Sequence, residues 1–282
     1  MYWTEKLDSP GSLLWAGDWP HQAEPLEISE LVQGIAHNAT HHFFSKRYGV
    51  FRVPIGENLS DEHRRLWDRK AGIPERLAGG RDHFGDIDQY KGYVFAPLEK
   101  YGWTSGDPTA RLIIFNLQLE VVGHLDFPPS LQRSAGWVAI NPLNGYLYSN
   151  DGGDIHVYDW RNSTNGQLAH LYSISKPDEV YLGQGAAFSA SGKLYTARQR
   201  HDSSLYIYGM LISGRAAVVQ TVRHEGGVFP TTEGVDVWDS GRDVESVHPK
   251  FSGQIHVICL DADIGTDQWY IYHYKVADVS RL

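Results

Sequence analysis

The sequence predicts an all-β chain folded as a five-bladed β-propeller, and three observations carry that expectation. A glycine at the head of a short apolar run recurs at Gly34, Gly85, Gly136, Gly185 and Gly234, with spacings of 51, 51, 49 and 49 residues. Behind each glycine come two further short runs rich in aromatic and β-branched residues, separated by turn chemistry. A three-stranded meander of this size cannot bury both of its faces, so copies must pack side by side. All-β repeats of roughly fifty residues match propeller blades and not a helical solenoid.

Taken in order, residues 12–16 form a strand ahead of the first full repeat. The fifth repeat shows only three clear strands, so this N-terminal strand is expected to supply the outer strand of the last blade and close the ring. Blade one takes residues 34–37, 43–44 and 50–53. Residues 60–67 break the period-two pattern with a capping serine and charged helix formers, which predicts a short helix or irregular loop inserted at about 60–75. Blade two takes 85–88, 93–95 and 112–115. Blade three is the clearest: 136–140, an Asn-Pro-Leu-Asn-Gly turn, 146–148, a second turn at 150–154, then 155–158. Blade four takes 185–188, 194–196 and 205–208, and blade five 234–237, 255–258 and 269–272.

Composition supports one domain over residues 1–282, because 41% hydrophobic content fills a single sizeable core and the repeat runs the length of the chain. Net charge is −9 with no basic block, which argues against nucleic acid and anionic membrane as partners. The one cysteine, Cys259, lies in an apolar run and reads as a small buried hydrophobe. No leader-like or spanning segment is visible, so a cytoplasmic location is expected.

Chemistry in a propeller gathers where loops converge on the axis. The connections entering the inner strands carry Gln33, His83, Gln184 and Glu233, and the loops joining second to third strands carry Lys46, Arg47, Glu99, Asn150, Asp151, Arg198, Gln199 and His201. Just inside the inner strands lie His37, Asp86, Asp88 and Asp236. Blades three and four place Trp137, Ala139, Ala186 and Phe188 at comparable positions, so the polar copies stand out. Asp86 and Asp88, two residues apart on a strand, are expected on one face, where their mutual repulsion invites a cation or a shared proton.

The expected site therefore takes Asp86, Asp88, Glu99 and Glu233 as catalytic candidates, His37, His83, Asn150 and Arg198 as ligand-binding candidates, and Asp86, Asp88 and Glu233 as metal ligands. Calcium suits the carboxylates, and zinc suits carboxylates with a histidine. Three readings follow: metal-assisted hydrolysis or rearrangement of a small polar, carbohydrate-like substrate; acid–base glycoside cleavage by two carboxylates; or ligand binding without chemistry, as in a lectin-like or protein-interaction propeller. The turn at 150–154 lacks the ligand alternation of a calcium-binding EF-hand loop, and His41 and His42 point to opposite faces of a strand, so neither is a metal motif.

The phrases Gln33-Gly34-Ile35-Ala36-His37, Phe84-Gly85-Asp86-Ile87-Asp88, and residues 93–99 and 139–148 resemble a bacterial group of uncharacterised propeller proteins. More distantly, Thr232-Glu233-Gly234-Val235-Asp236 and the Gly-x-Leu-Tyr elements, such as that at 192–195, resemble gluconolactonase and strictosidine-synthase-like propellers. That likeness implies a metal held in the channel by a Glu, an Asn and an Asp, with Glu233 as the glutamate. Those relatives are usually six-bladed, and the five repeats here depart from that count.

Overall fold

The computed structural model describes residues 9–10, 13–19, 32–55, 67–102, 104–150, 152–178, 180, 183–199, 205–213, 215–224, 231–238, 255–263 and 266–274. It is an all-β chain with the architecture of a β-propeller. In chain order, β1 (Ser9–Pro10) and β2 (Leu13–Trp19) precede a first antiparallel meander of β3 (Val32–His37), β4 (His41–Lys46), β5 (Gly49–Pro54) and β6 (Arg69–Gly72). A single-turn helix, α1 (Glu75–Ala78), leads into a second, built from β7 (His83–Phe84), β8 (Asp88–Tyr90), β9 (Tyr93–Glu99), β10 (Arg111–Asn116) and β11 (Val121–Asp126). The third meander is β12 (Val138–Ile140), β13 (Leu147–Asn150), β14 (Ile155–Thr164) and β15 (Gln167–Ile174). The fourth is β16 (Gly185–Phe188), β17 (Lys193–Gln199), β18 (Leu205–Ser213) and β19 (Arg215–His224), and the last is β20 (Thr231–Val237), β21 (Ile255–Asp263) and β22 (Thr266–Tyr274). Strand β2 runs antiparallel to β22, Gly17 facing Ile271, while β1 lies parallel to β19. Among the described residues no helix is long and apolar enough to cross a membrane.

The first, third and fourth meanders have four strands where the sequence pattern gave three; the second has five strand segments because its inner strand is interrupted, and the last has three with β2 beside β22. The extra outer strands β6 and β11 carry mostly exposed or half-exposed side chains, so no apolar alternation announces them. Residues 69–72, expected in an insertion, are one of these outer strands, paired with residues 49–52 of β5. Of the short helix or irregular loop expected at about 60–75, residues 60–66 lie outside the described residues.

The apolar core sits between neighbouring sheets. Phe43 and Val50 of the first pack with Phe84, Val94 and Phe115 of the second. Phe95 and Leu112 then meet Leu147 and Tyr158, Trp137 and Tyr148 meet Leu194 and Met210, and Tyr195 and Ile207 meet Val235 and Val257. Ile258 and Trp238 of the last sheet pack in turn with Ile35 and Phe44 of the first. Cys259, as expected, is a buried member of this core, and burial pushes its thiol up.

The recurring glycines mark where inner strands touch. A Cβ on Gly34 would run into Asp86, and one on Gly85 into the carbonyl of Gly136, while Gly185 meets Gly234. Only a residue without a side chain allows backbones so close.

Polar cross-links tie neighbouring sheets at their rims. Arg52 forks onto Asp68 at 2.9 and 2.6 Å and also donates to the Leu117 carbonyl at 2.7 Å, joining the first sheet to the second. The hydrogen bonds from Arg52 hold the Asp68 carboxyl below its ordinary value. Because Asp68 is partly exposed, Arg52→Ala is expected to cost only about 1–2 kcal/mol in denaturant unfolding. High salt should shrink the difference from wild type.

Candidate functional site

The residues expected to form one site fall into three groups along the axis, and the reason lies in the backbone at Asp86. Inner strand segments of the second meander are interrupted between β7 and β8. There Asp86 leaves its own hairpin and makes a parallel bridge with Trp137: its N–H donates to Gly136 O at 2.8 Å and its carbonyl accepts from Val138 at 3.2 Å. Asp86 and Asp88 do not form the expected pair: their oxygens accept from different backbone N–H groups.

Asp86 is fully buried, and its side chain fills the axis. Oδ1 accepts from Ile35 N at 2.9 Å and Ile87 N at 3.0 Å, and Oδ2 accepts from Ala186 N at 3.0 Å and Val235 N at 3.2 Å. Burial pushes this carboxyl up, and the four N–H donors work against that shift. With its backbone bonds included, this one residue is hydrogen-bonded to the first, third, fourth and last meanders as well as its own.

At one end of the axis, where the inner strands finish, lies a cavity of about 420 Å³ lined by residues from every meander. His37 and Asp236 are hydrogen-bonded in its wall, Nδ1 to Oδ2 at 2.6 Å. The His37 ring stacks on Trp238 with centroids 4.0 Å apart and planes 14° from parallel. Buried His42 meets the edge of Trp238, and buried His256 lies beyond it. Burial pushes the Asp236 carboxyl up, but His37, followed by His256 and His42, outweighs it and holds the group below the usual carboxylate range.

Asp88 also lines this cavity. Its oxygens accept from Gln89 N at 2.6 Å and Ile140 N at 2.5 Å, yet burial dominates and raises its carboxyl to about 7, helped by the charge of Asp236. Tyr90, Ile140, Pro142, Phe188 and Val237 supply flatter apolar wall. Trp238, missed by sequence reasoning, sits two residues after Asp236, and that spacing on an extended segment places both on one side.

The opposite end, where the inner strands begin, gathers the remaining candidates. Gln33 bonds His83 Nε2 at 2.9 Å, His83 Nδ1 lies 3.5 Å from Glu99, and Glu99 accepts from Ala135 N at 2.7 Å. Arg47 covers the Tyr101 ring at 4.4 Å. Burial pushes the Lys46 ammonium down to about 7. Glu233 and Asn150 are buried, Arg198 is half-buried and Gln184 is exposed. Asp151, His201 and the side chain of Gln199 lie outside the described residues.

Calcium or zinc held jointly by Asp86, Asp88 and Glu233 does not fit these positions. Every lone pair of Asp86 faces an N–H donor, Asp88 opens at one end of the axis, and Glu233 lies toward the other. Among the described residues no three His, Cys, Asp or Glu side chains are grouped as a metal would need.

No family model matches the chain, and no curated protein sequence matches it. Solved structures similar to it include a protein of unknown function from Bacteroides caccae, at 17% identity over 83% of this chain and 80% of that one, with a TM-score of 0.48. Another is a gluconolactonase from Xanthomonas campestris, at 10% identity over 95% and 98%, TM-score 0.47. A third is an aldose sugar dehydrogenase from Streptomyces coelicolor in its PQQ-bound form, at 13% identity over 95% and 97%, TM-score 0.40.

Proposed function

We propose that the axial cavity binds a small, polar, carbohydrate-like ligand and acts on it by paired proton transfer, with His37 as base and Asp88 as acid. The observation that carries this reading is the convergence of the His37–Asp236 pair and Asp88 on one cavity. Asp236 holds Nδ1 of His37 and stabilises the imidazolium formed when Nε2 takes a proton. Asp88, with a carboxyl near 7, is partly protonated at neutral pH and able to give a proton to a leaving or carbonyl oxygen. The products of such a pair are those of hydrolysis or of a rearrangement beside a carbonyl. Apolar wall from Phe188, Val237 and Ile140 beside these polar groups suits a ring with one apolar face and a rim of hydroxyls.

The experiment is calorimetric titration with neutral monosaccharides and their lactones, followed by the same titration of His37→Ala. Binding by wild type and at least a tenfold loss in the variant is the expected result. Equal affinity in both proteins, or no binding across the panel, would remove the cavity from the account.

The same proposal takes the ring to be a complete five-bladed propeller, one domain closed by residues 13–19 as the outer strand of the last blade. Pairing of β2 with β22 and the shared core between last and first sheets support it. Deleting the chain through Pro20 should then expose the edge of β22, lower the melting temperature by several degrees and bring on aggregation. A truncated chain that melts like wild type would sink the closure.

A further inference from the structure

We propose that His156 and His170, with the hydroxyl of Ser173, form a binding site for a borderline transition-metal ion of the Zn²⁺ or Cu²⁺ type, on the outer strands of the third meander and apart from the axial cavity. His156 lies on β14 directly opposite Ser173 of β15. His170 is three residues before Ser173, and in a regular strand residues three apart point to opposite faces. The register, however, slips between Val157 and Tyr158, whose partners are Tyr172 and His170, so Leu171 is an extra residue in β15. That β-bulge turns His170 onto the face of Ser173 and His156. Bulges re-aim side chains in this way and are frequent beside functional sites.

The result is that two imidazole nitrogens converge on one oxygen. His156 Nδ1 is 2.9 Å and His170 Nε2 is 3.1 Å from Ser173 Oγ, with ring centroids 5.9 Å apart. Neighbouring ligand atoms around a tetrahedral zinc with bonds of about 2.0–2.1 Å stand roughly 3.3 Å apart. The hydroxyl thus sits where a third ligand or a bound water would sit, and a small rotation of the partly exposed His170 ring brings both nitrogens to the ion. One hydroxyl proton satisfies only one of the two imidazoles, so the other must donate its own N–H. The hydroxyl gives its proton to one imidazole and accepts the N–H of the other, and binding an ion requires that second imidazole to present its lone pair instead. Ser173 is exposed, which leaves an approach for the ion and for water as a further ligand. Imidazole nitrogen favours zinc and copper over calcium and magnesium, which take oxygen ligands.

The test is titration of tag-free protein with zinc and copper salts, read by calorimetry and by the ring resonances of the histidines. One ion per chain, shifts confined to His156 and His170, and no response to calcium or magnesium are expected. His170→Ala should weaken binding at least about tenfold, since even outer-shell losses cost roughly 10–100-fold. Asp88→Ala should bind like wild type. Should buried His156→Gln fail to fold, His170→Ala decides alone. The proposal is overturned if wild type binds neither ion, if His170→Ala binds as wild type does, or if Asp88→Ala abolishes binding.

Discussion

Asp86→Ala is expected to abolish cooperative folding, the largest effect of any single change in this chain. The substitution strips four backbone N–H groups of their acceptor at once, those of Ile35, Ile87, Ala186 and Val235. Each buried donor left without a partner costs about 1–3 kcal/mol, so four of them together cost about 4–12 kcal/mol. Total stability of a domain is only about 5–15 kcal/mol. Asn at this position rescues little, because its amide nitrogen would meet two N–H donors where an oxygen now stands. Urea unfolding followed by fluorescence checks the expectation, and hydrogen exchange at the four named amides locates it. A variant melting within a degree or two of wild type, with those amides still protected, would show that water takes over the acceptor role and that Asp86 is not what joins the inner strands.

The role of Asp86 also explains how far the sequence could be read. The fifty-residue period was legible because the inner strands touch at glycine, and a glycine demanded by backbone contact at Gly34, Gly85, Gly185 and Gly234 leaves a fixed mark in the sequence. Outer strands were not legible: β6 and β11 face solvent over much of their length and need no apolar alternation. Asp-x-Asp at 86 and 88 reads as a carboxylate pair by strand periodicity, but the register on β9 slips by one residue between Phe84, opposite Leu98, and Asp88, opposite Phe95. The Asp86 oxygens are instead taken up by backbone donors of other meanders, and its backbone bridges to Trp137, 51 positions away. His37, Asp88 and Asp236, polar positions just inside the inner strands in the sequence pattern, lie together on the axial cavity. The end of the axis at which a cavity opens was beyond the sequence, since both ends carry ionisable groups. At the far end His83, Gln33 and Glu99 are tied to one another or to backbone, and only the packed structure distinguishes a tied cluster from an open one.

Loss of either His37 or Asp88 is expected to lower turnover of the ligand found in the sugar and lactone panel by roughly 10²–10⁴-fold, the range ordinarily contributed by a positioned acid or base. Asp88 gives this expectation a second, independent signature in pH. Its carboxyl is raised from an ordinary 3.8 to about 7, chiefly by burial, so the protonated acid is depleted above neutrality and turnover should fall about tenfold per pH unit there. Stability carries the same group with a definite sign. A folded carboxyl that titrates higher than its unfolded counterpart stabilises the fold fully below pH about 4, and that contribution is lost as pH rises to about 7, up to ~4 kcal/mol in all. Asp88→Asn cannot titrate, so it should lose turnover and also flatten the decline in unfolding free energy between pH 4 and 7. The two readouts separate chemistry from electrostatics: a flattened stability profile with turnover intact would leave Asp88 a half-buried carboxyl without a catalytic part. An unchanged profile would mean that the carboxyl ionises normally and that the acid must be sought elsewhere in the cavity.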